Sequence, residues 1–325
     1  MADVADATEA TTCGLARVVA SDVDAAVDAG VDMVHVFAST SDVQIEDSMH
    51  STRAEVVDQS VAAVERAEAA GVEVMFSPMD ATRTDPEYLA EVVEAVDDAG
   101  VDWVNIPDTC GVATPRRFGE LVEFVGDHTD ARIDVHTHDD FGLATANALA
   151  GVEAGADQVQ VSVNGIGERA GNAAFEEVVM SAESVYSADS GVDTTAIADI
   201  AATVADRSSV PVPVNKPVVG ANAFAHESGI HAAGVIENSE TFEPGVMTPE
   251  MVGAEREVVL GKHSGTHAVR QHLEDAGFEP TDEELRAVTR KVKAHAADDR
   301  VVTETMLRAF AGEVGVRRER GEVTA

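Results

Sequence analysis

The sequence predicts a (β/α)8 TIM-type barrel, here with about six βα units, followed by a mainly helical C-terminal region. Three observations carry this expectation. Alanine-rich amphipathic stretches alternate with short β-branched runs, a glycine closes most of the former, and polar side chains cluster just after the latter. Helices alternating with short strands imply right-handed βαβ units and a parallel sheet. Chemistry at the carboxyl ends of parallel strands suits a barrel or an open doubly wound sheet. No glycine-rich dinucleotide fingerprint follows any strand, which favours the barrel.

The first strand is expected over Thr12 to Val19. Four repeats of helix, glycine and strand then follow one pattern: Ala29-Gly30-Val31-Asp32 before Met33 to Val36, Ala70-Gly71-Val72-Glu73 before Val74 to Phe76, Ala99-Gly100-Val101-Asp102 before Trp103 to Ile106, and Ala154-Gly155-Ala156-Asp157 before Gln158 to Val161. In each the glycine is placed to take the left-handed conformation that ends a helix. One further strand, Arg132 to His136, follows a helix that ends without that glycine. After about Val185 the pattern changes. Pro211, Pro213 and Pro217 interrupt the chain, and Thr281 to Phe310 reads as one or two polar helices. The expected division is a partial barrel over 1–190 and a C-terminal linker with helical subdomains over 191–325.

The chain is long enough to bury one large core or two smaller ones, and with 45% hydrophobic residues it is globular. Its charge is extreme: 22 Lys and Arg against 60 Asp and Glu give −38, with the acids spread through every expected helix. Self-repulsion of that size is costly at low ionic strength and much reduced where salt shortens the screening length to a few Å. We read it as adaptation to a high-salt cytoplasm. Nucleic acid is excluded as a partner, because phosphates need a basic surface. Cys13 and Cys110 suggest no disulfide framework. No apolar run approaches the length of a membrane span and no leader pattern opens the chain, so a membrane is not expected as a partner and the expected location is cytoplasmic. The histidines His128, His272 and His295 are expected at the surface.

The most informative stretch is His136-Thr137-His138-Asp139-Asp140. Residues two apart on a strand point to the same side, so both imidazoles reach one point at the strand's end. That arrangement suits a zinc or manganese ion completed by oxygen ligands, or a pair of ordinary loop histidines.

From His136 to Asn172 the chain reads HTHDDFGLATANALAGVEAGADQVQVSVNGIGERAGN, which resembles the second signature of the 2-isopropylmalate, citramalate and homocitrate synthase family of metal-dependent barrels. The likeness extends through NIPDTCGVATP (Asn105 to Pro115), NKPVVGANAFAHESGIHAAGV (Asn215 to Val235), MTPEMVG (Met247 to Gly253) and LGKHSG (Leu260 to Gly265). The resemblance, in an acidic haloarchaeal form, implies that acetyl-CoA, as co-substrate, is condensed with a 2-oxo acid. The divalent metal (zinc, manganese or magnesium) would be held by His136 and His138, with Asn172 on or beside it. It implies Thr109 as a contact for the oxo-acid carboxylate, with His35 and Ser77 nearby, and Asn164, Glu168 and Arg169 in the loop near acetyl-CoA. Glu168 and His231 are its candidate catalytic groups. His231 matches a histidine that enters the partner subunit's site, so a homodimer is expected. The preferred acceptor is 2-oxoisovalerate, giving 2-isopropylmalate for leucine biosynthesis. Pyruvate and 2-oxoglutarate are the rival acceptors, and a metal-dependent carbon–carbon lyase is the rival class.

The chain also departs from the family. Relatives begin with a strand ending in an Arg-Asp-Gly-Glu-Gln-like motif that supplies an anionic ligand; this chain has no such motif, and its first strand resembles the family's third. A start placed too far downstream, an inactive remnant, and a short chain with a different role are the competing readings. Met79 stands where relatives carry a glutamate, leaving acid–base duty elsewhere or with Asp80, and Phe242 stands near a usual tyrosine. With the sequence running to Ala325, feedback through a C-terminal regulatory domain is not expected. The 325-residue chain expressed alone is expected to fold poorly and to lack synthase activity; measurable CoA release from it would refute this.

Overall fold

The computed structural model describes residues 1–224, 247–254, 260, 265–296 and 302–318. The chain divides into two compact units, Met1–Val178 and Val179–Ala325.

The first unit is built on six parallel strands: β1 (Cys13–Arg17), β2 (Met33–Ser39), β3 (Glu73–Met79), β4 (Trp103–Asp108), β5 (Arg132–Thr137) and β6 (Gln158–Gln160). Their order in the sheet is their order in the sequence. The connecting helices are α1 (Ala20–Asp28), α2 (Arg53–Glu68), α3 (Pro86–Asp98), α4 (Pro115–Gly126) and α5 (Ala144–Glu153). This is the expected run of six βα units. The starts of three helices are chemically marked. Thr52 forms a capping box with Glu55, while Asp85 and Thr114 each cap a helix that begins with proline.

The repeated glycines Gly30, Gly71, Gly100 and Gly155 all have positive φ, between 73° and 105°, and each lies between a helix and the next strand. The aspartate that follows two residues later has its own task. Asp32 accepts hydrogen bonds from the Thr12 amide (2.7 Å), Asp102 from the Val74 amide (2.8 Å) and Asp157 from the Ile133 amide (2.9 Å). Each carboxylate therefore pins the start of the preceding strand to the start of its own. In the repeat with glutamate, Glu73 instead accepts from the Trp103 indole (3.0 Å) and pairs with Arg132, whose guanidinium lies over the Trp103 ring.

The sheet has two unlike faces. Val34, Val36, Val74, Phe76, Val104, Ile106, Ile133 and Val135 join Val23, Val64, Leu89, Val93, Phe118 and Val122 of the helices in one core. Each such buried side chain contributes roughly 1.5–3 kcal/mol. Residues one position away in sequence point to the other face, where Met33, Met75 and Trp103 form a separate small cluster.

α6 (Phe175–Ser184) spans the boundary between the units, and α7 (Ile197–Ser208) follows. The second unit also contains α8 (Thr266–Asp275), β7 (Phe278–Glu279), α9 (Asp282–Ala296), α10 (Glu304–Val314) and β8 (Arg317–Arg318). Leu260, Val269, Leu273, Phe278, Leu285, Val288, Val292 and Leu307 form its core. The stretch read as one or two polar helices is thus two. The expectation of surface histidines is corrected in part: His272 and His295 are half-buried with their Nε2 atoms buried, and the His295 ring lies tilted against Phe310. Their spacing puts both on the inner side of amphipathic helices. Among the described residues no helix is long and apolar enough to cross a membrane.

Close packing between α5 and β5 gives a test. A Cβ added at Gly151 would lie 3.0 Å from Val135 Cγ1 and 3.3 Å from Phe118 Cε1. Gly151→Val is expected to destabilise the first unit by about 1–3 kcal/mol through overpacking. Denaturant midpoints check this; an unchanged midpoint contradicts it.

Candidate active site

The inner face of the sheet borders a cavity of about 840 Å³. Apolar side chains supply much of its wall: Leu15, Met33, Phe37, Met75 and Met79. Of the residues singled out in the sequence, His35, Ser77, Thr109, His136, His138, Glu168 and Arg169 also line it. Strand parity aims His35, Ser77 and His136 inward, while Thr109, His138, Glu168 and Arg169 come from the loops that follow the strands.

His136 and His138 converge as their spacing requires. Their Nε2 atoms are 3.0 Å apart. Burial, then the neighbouring His138, depress the His136 pKa to about 4; burial, then Arg169, lower that of His138. Both rings are therefore neutral at pH 7, and two nitrogens face one point. The Oδ1 atom of Asn172 is buried and has no hydrogen-bond partner among the described residues, and residue 172 forms an isolated backbone bridge with His138. Two imidazoles and an amide oxygen fit part of the coordination sphere of a divalent cation. Among the described residues no group of three or more His, Cys, Asp or Glu converges in this way, so the anionic ligand is not among them.

The loop carrying Asn172 depends on two glycines. A Cβ at Gly167 would lie 2.4 Å from Asn172 Oδ1, and one at Gly171, where φ is +109°, would lie 2.0 Å from the Gly165 carbonyl oxygen. Only glycine lets the loop fold back so tightly. Backbone bonds from Asp139 to the Gly171 carbonyl (2.9 Å) and from Ala173 to that of Thr137 (3.2 Å) fasten it to the end of β5. Arg169 ties it to the neighbouring loops. Its guanidinium is paired with Asp140 (2.7 and 2.8 Å) and donates to the Thr109 carbonyl oxygen (2.8 Å). The Asn164 amide donates to Glu176 at 2.9 Å, and Asn164 and Asn172 stand in the loop outside the set that lines the cavity.

Thr109 is held from below. The fully buried Asp108 accepts from the Val112 and Ala113 amides (3.1 and 3.0 Å) and from Thr82 (3.0 Å). The Thr109 hydroxyl oxygen accepts from the Asp80 amide at 2.9 Å, which leaves its hydrogen free to donate. Asp80 itself cannot replace the acid missing at Met79. Its buried carboxylate is taken by Arg83 (2.8 and 2.6 Å) and Ser41 (2.5 Å), and it is absent from the cavity wall. His231 and Phe242 lie outside the described residues.

The sequence reading missed Asn105, Asp134 and Gln160. Asp134 is two residues before His136 and so faces the same way, a signal present in the alternation but hidden by an aspartate's usual place at the surface. Hydrogen bonds of 2.6 Å link His35 Nε2 to Ser77 Oγ, Ser77 to Asn105 Oδ1, Asn105 Nδ2 to Asp134 Oδ2, and Gln160 Nε2 to the same oxygen. Burial drives the Asp134 pKa up to about 7 against the lowering effect of these amides. Burial, then His136, depress His35 to about 4.

These shifts set the acid side of stability in the metal-free protein. His35 and His136 take up protons near 6.5 when unfolded but only near about 4 in the fold. Between those values the unfolded chain binds more protons, and stability falls as pH falls. Asp134 acts oppositely, keeping its proton in the fold up to about 7 against 3.8 unfolded. Two histidines outweigh one carboxyl, so stability is expected to rise from about pH 4 to 6.5, and to rise more steeply in Asp134→Asn. Urea midpoints in EDTA across this range test it; a shallower rise in the variant contradicts it.

Comparison with known proteins identifies relatives of this chain. Residues 2–204 match the HMGL-like family, and residues 218–300 match the homocitrate synthase post-HMGL domain-like family. The chain is 49% identical over 306 residues to a probable 2-isopropylmalate synthase of Methanosarcina mazei, covering 94% of this chain and 59% of that protein. It is 45% identical over 315 residues to the 2-isopropylmalate synthase of Sulfolobus acidocaldarius, covering 97% and 81%. The chain thus spans about three fifths of the length of the first of these relatives. Among solved structures, the hydroxymethylglutaryl-CoA lyase of Pseudomonas aeruginosa is similar with a TM-score of 0.58 and 26% identity over 65% of this chain and 75% of that one. The fold, the paired histidines and these relatives together establish that the chain belongs to the HMGL-like family and, within it, to the 2-isopropylmalate synthase family.

Proposed function

We propose that this chain carries the metal-binding and oxo-acid-binding part of an acyltransferase that condenses acetyl-CoA with 2-oxoisovalerate to give 2-isopropylmalate, in leucine biosynthesis. The observation that carries the reading is the convergence of two neutral imidazoles, His136 and His138, beside the free hydroxyl hydrogen of Thr109 in one cavity. His136, His138 and Asn172 are the groups that would hold the divalent cation. When bound, it would polarise the keto group and orient the oxo acid by chelation.

The side chains supply the rest. Thr109 donates its hydrogen to the oxo-acid carboxylate, an interaction strengthened by the anion's charge. Arg169, its charge paired with Asp140, and Glu168 line the cavity and are the groups that would contact acetyl-CoA, with Asn164 shaping the loop. Glu168 and His231 are the candidates for moving the thioester methyl proton, since Met79 has no proton to exchange. Leu15, Met33, Phe37 and Met75 suit a branched alkyl acceptor. Arg169 is the one Lys or Arg among the described lining residues and is already paired, which disfavours the second carboxylate of 2-oxoglutarate. We further infer a homodimer, with His231 of the partner subunit completing the site, and a protein adapted to high salt.

The test has two arms, both in molar KCl. In the first, the chain alone is titrated with Mn²⁺ or Zn²⁺. One cation per chain is expected to bind, and the His136→Ala/His138→Ala double variant is expected to lose at least tenfold in affinity. In the second, the chain is joined to βα units bearing the Arg-Asp-Gly-Glu-Gln-like motif, and CoA release is measured with three oxo acids. Turnover is expected to be highest with 2-oxoisovalerate and abolished by EDTA. Preference for pyruvate would replace the acceptor, and unchanged affinity in the double variant would remove the metal site.

A further inference from the structure

The hydrogen bonds that cross the inner face of the sheet from β2 to β6 have a single consistent direction, and it is set from Asp134. The Asp134 side chain is buried on β5, and its Oδ2 accepts two amide hydrogens, from Asn105 Nδ2 and Gln160 Nε2, both at 2.6 Å. This orients the Asn105 amide, with nitrogen toward Asp134 and Oδ1 turned away. Asn105 Oδ1 can only accept, and it takes the Ser77 hydroxyl hydrogen at 2.6 Å. A hydroxyl has one hydrogen, so what Ser77 presents to His35 Nε2, 2.6 Å away, is a lone pair. Only an N–H fits there. A neutral imidazole carries one N–H, and Nδ1 of His35 is therefore bare. Among the described residues nothing hydrogen-bonds to that atom, and the ring lines the cavity.

We propose that Asp134 is a positioning residue: acting through Asn105 and Ser77, it locks His35 in the Nε2–H tautomer and gives the cavity a proton acceptor at Nδ1. Without Asp134, rotating the Asn105 amide by half a turn reverses every donor and acceptor along the line, and His35 gains access to both tautomers. The direction does not depend on the charge of Asp134. Oδ2 receives both amide hydrogens while Oδ1 has no hydrogen-bond partner among the described residues, so a proton carried on Oδ1 would leave Oδ2 an acceptor. His35 is neutral near pH 7 because burial depresses its pKa, so the tautomer is the property that matters. The consequence for recognition is that a group docking at His35 must bring its own hydrogen: a hydroxyl, a water or an amide N–H, and not a bare carboxylate oxygen. The inference stands whether or not the proposed acyl transfer is correct.

The test is a long-range ¹H–¹⁵N correlation spectrum of the ¹⁵N-histidine-labelled full chain at neutral pH in molar KCl, with His35 assigned by its loss in His35→Gln. The wild type is expected to show the Nε2–H pattern alone. In Asp134→Ala the two nitrogen shifts are expected to move toward each other as the tautomers mix. Asp134→Asn, which retains one carbonyl oxygen for the two amides, is expected to restore the single pattern. Should Asp134→Ala not fold, Asn105→Ala cuts the same line and is expected to give the same mixing. An Nδ1–H pattern in the wild type overturns the proposal, and so does a pure Nε2–H pattern in either alanine variant.

Discussion

The burial of one face of a parallel sheet is the interaction on which the rest of this molecule depends. The valines, isoleucines and Phe76 that pack against the helices occupy alternate positions of each strand. Because side chains along a strand alternate in direction, fixing one set against the helices fixes the other set toward the cavity. Every feature of the candidate site inherits its aim from that apolar contact: the paired imidazoles, the line of hydrogen bonds beneath them and the Met33, Met75, Trp103 cluster. No polar interaction in the cavity has to hold a strand in register by itself.

The acidic composition has a similar division of labour. Many of the carboxylates are exposed, but those that recur in the sequence pattern have structural partners. Asp32, Asp102 and Asp157 bind the amides that open neighbouring strands, and Asp108 gathers the turn after β4. Such charge-assisted bonds to backbone N–H groups are stronger than neutral ones and depend less on salt than an exposed ion pair does. Asp108 is buried, whereas Asp32, Asp102 and Asp157 do this at the exposed ends of the strands, so part of the surface charge also fixes the backbone.

Much of the fold was legible in the sequence because its signals are local. The four glycines with positive φ mark helix ends, the β-branched runs mark strands, and the two-residue spacing of His136 and His138 marks a shared direction. Thr109, His35 and Ser77 were legible through the family resemblance and are brought to the same cavity. What could not be read depends on contacts between strands. Nothing in the order of residues says that Asp134 meets Asn105 across a register of twenty-nine positions, or that Asp80 is consumed by Arg83 and Ser41. A lone aspartate in a strand looks like a solvated charge until its neighbours are known. The inward placement of His272 and His295 was missed for the same reason.

The paired histidines also make the chain unequally tolerant of insertions and deletions. Loops such as 185–196 lengthen or shorten without changing which way any strand residue points. Strand β5 does not allow this. Removing or adding one residue between Arg132 and His136 would turn both imidazoles toward the helices and put Val135 and Thr137 in their place. Asp134 would leave the inner layer in the same step. A two-residue change would preserve the parity but move the imidazoles by one pleat along the strand, away from the loop that carries Asn172. Drift in length is therefore expected to accumulate at the ends of helices, while β5 evolves by substitution alone.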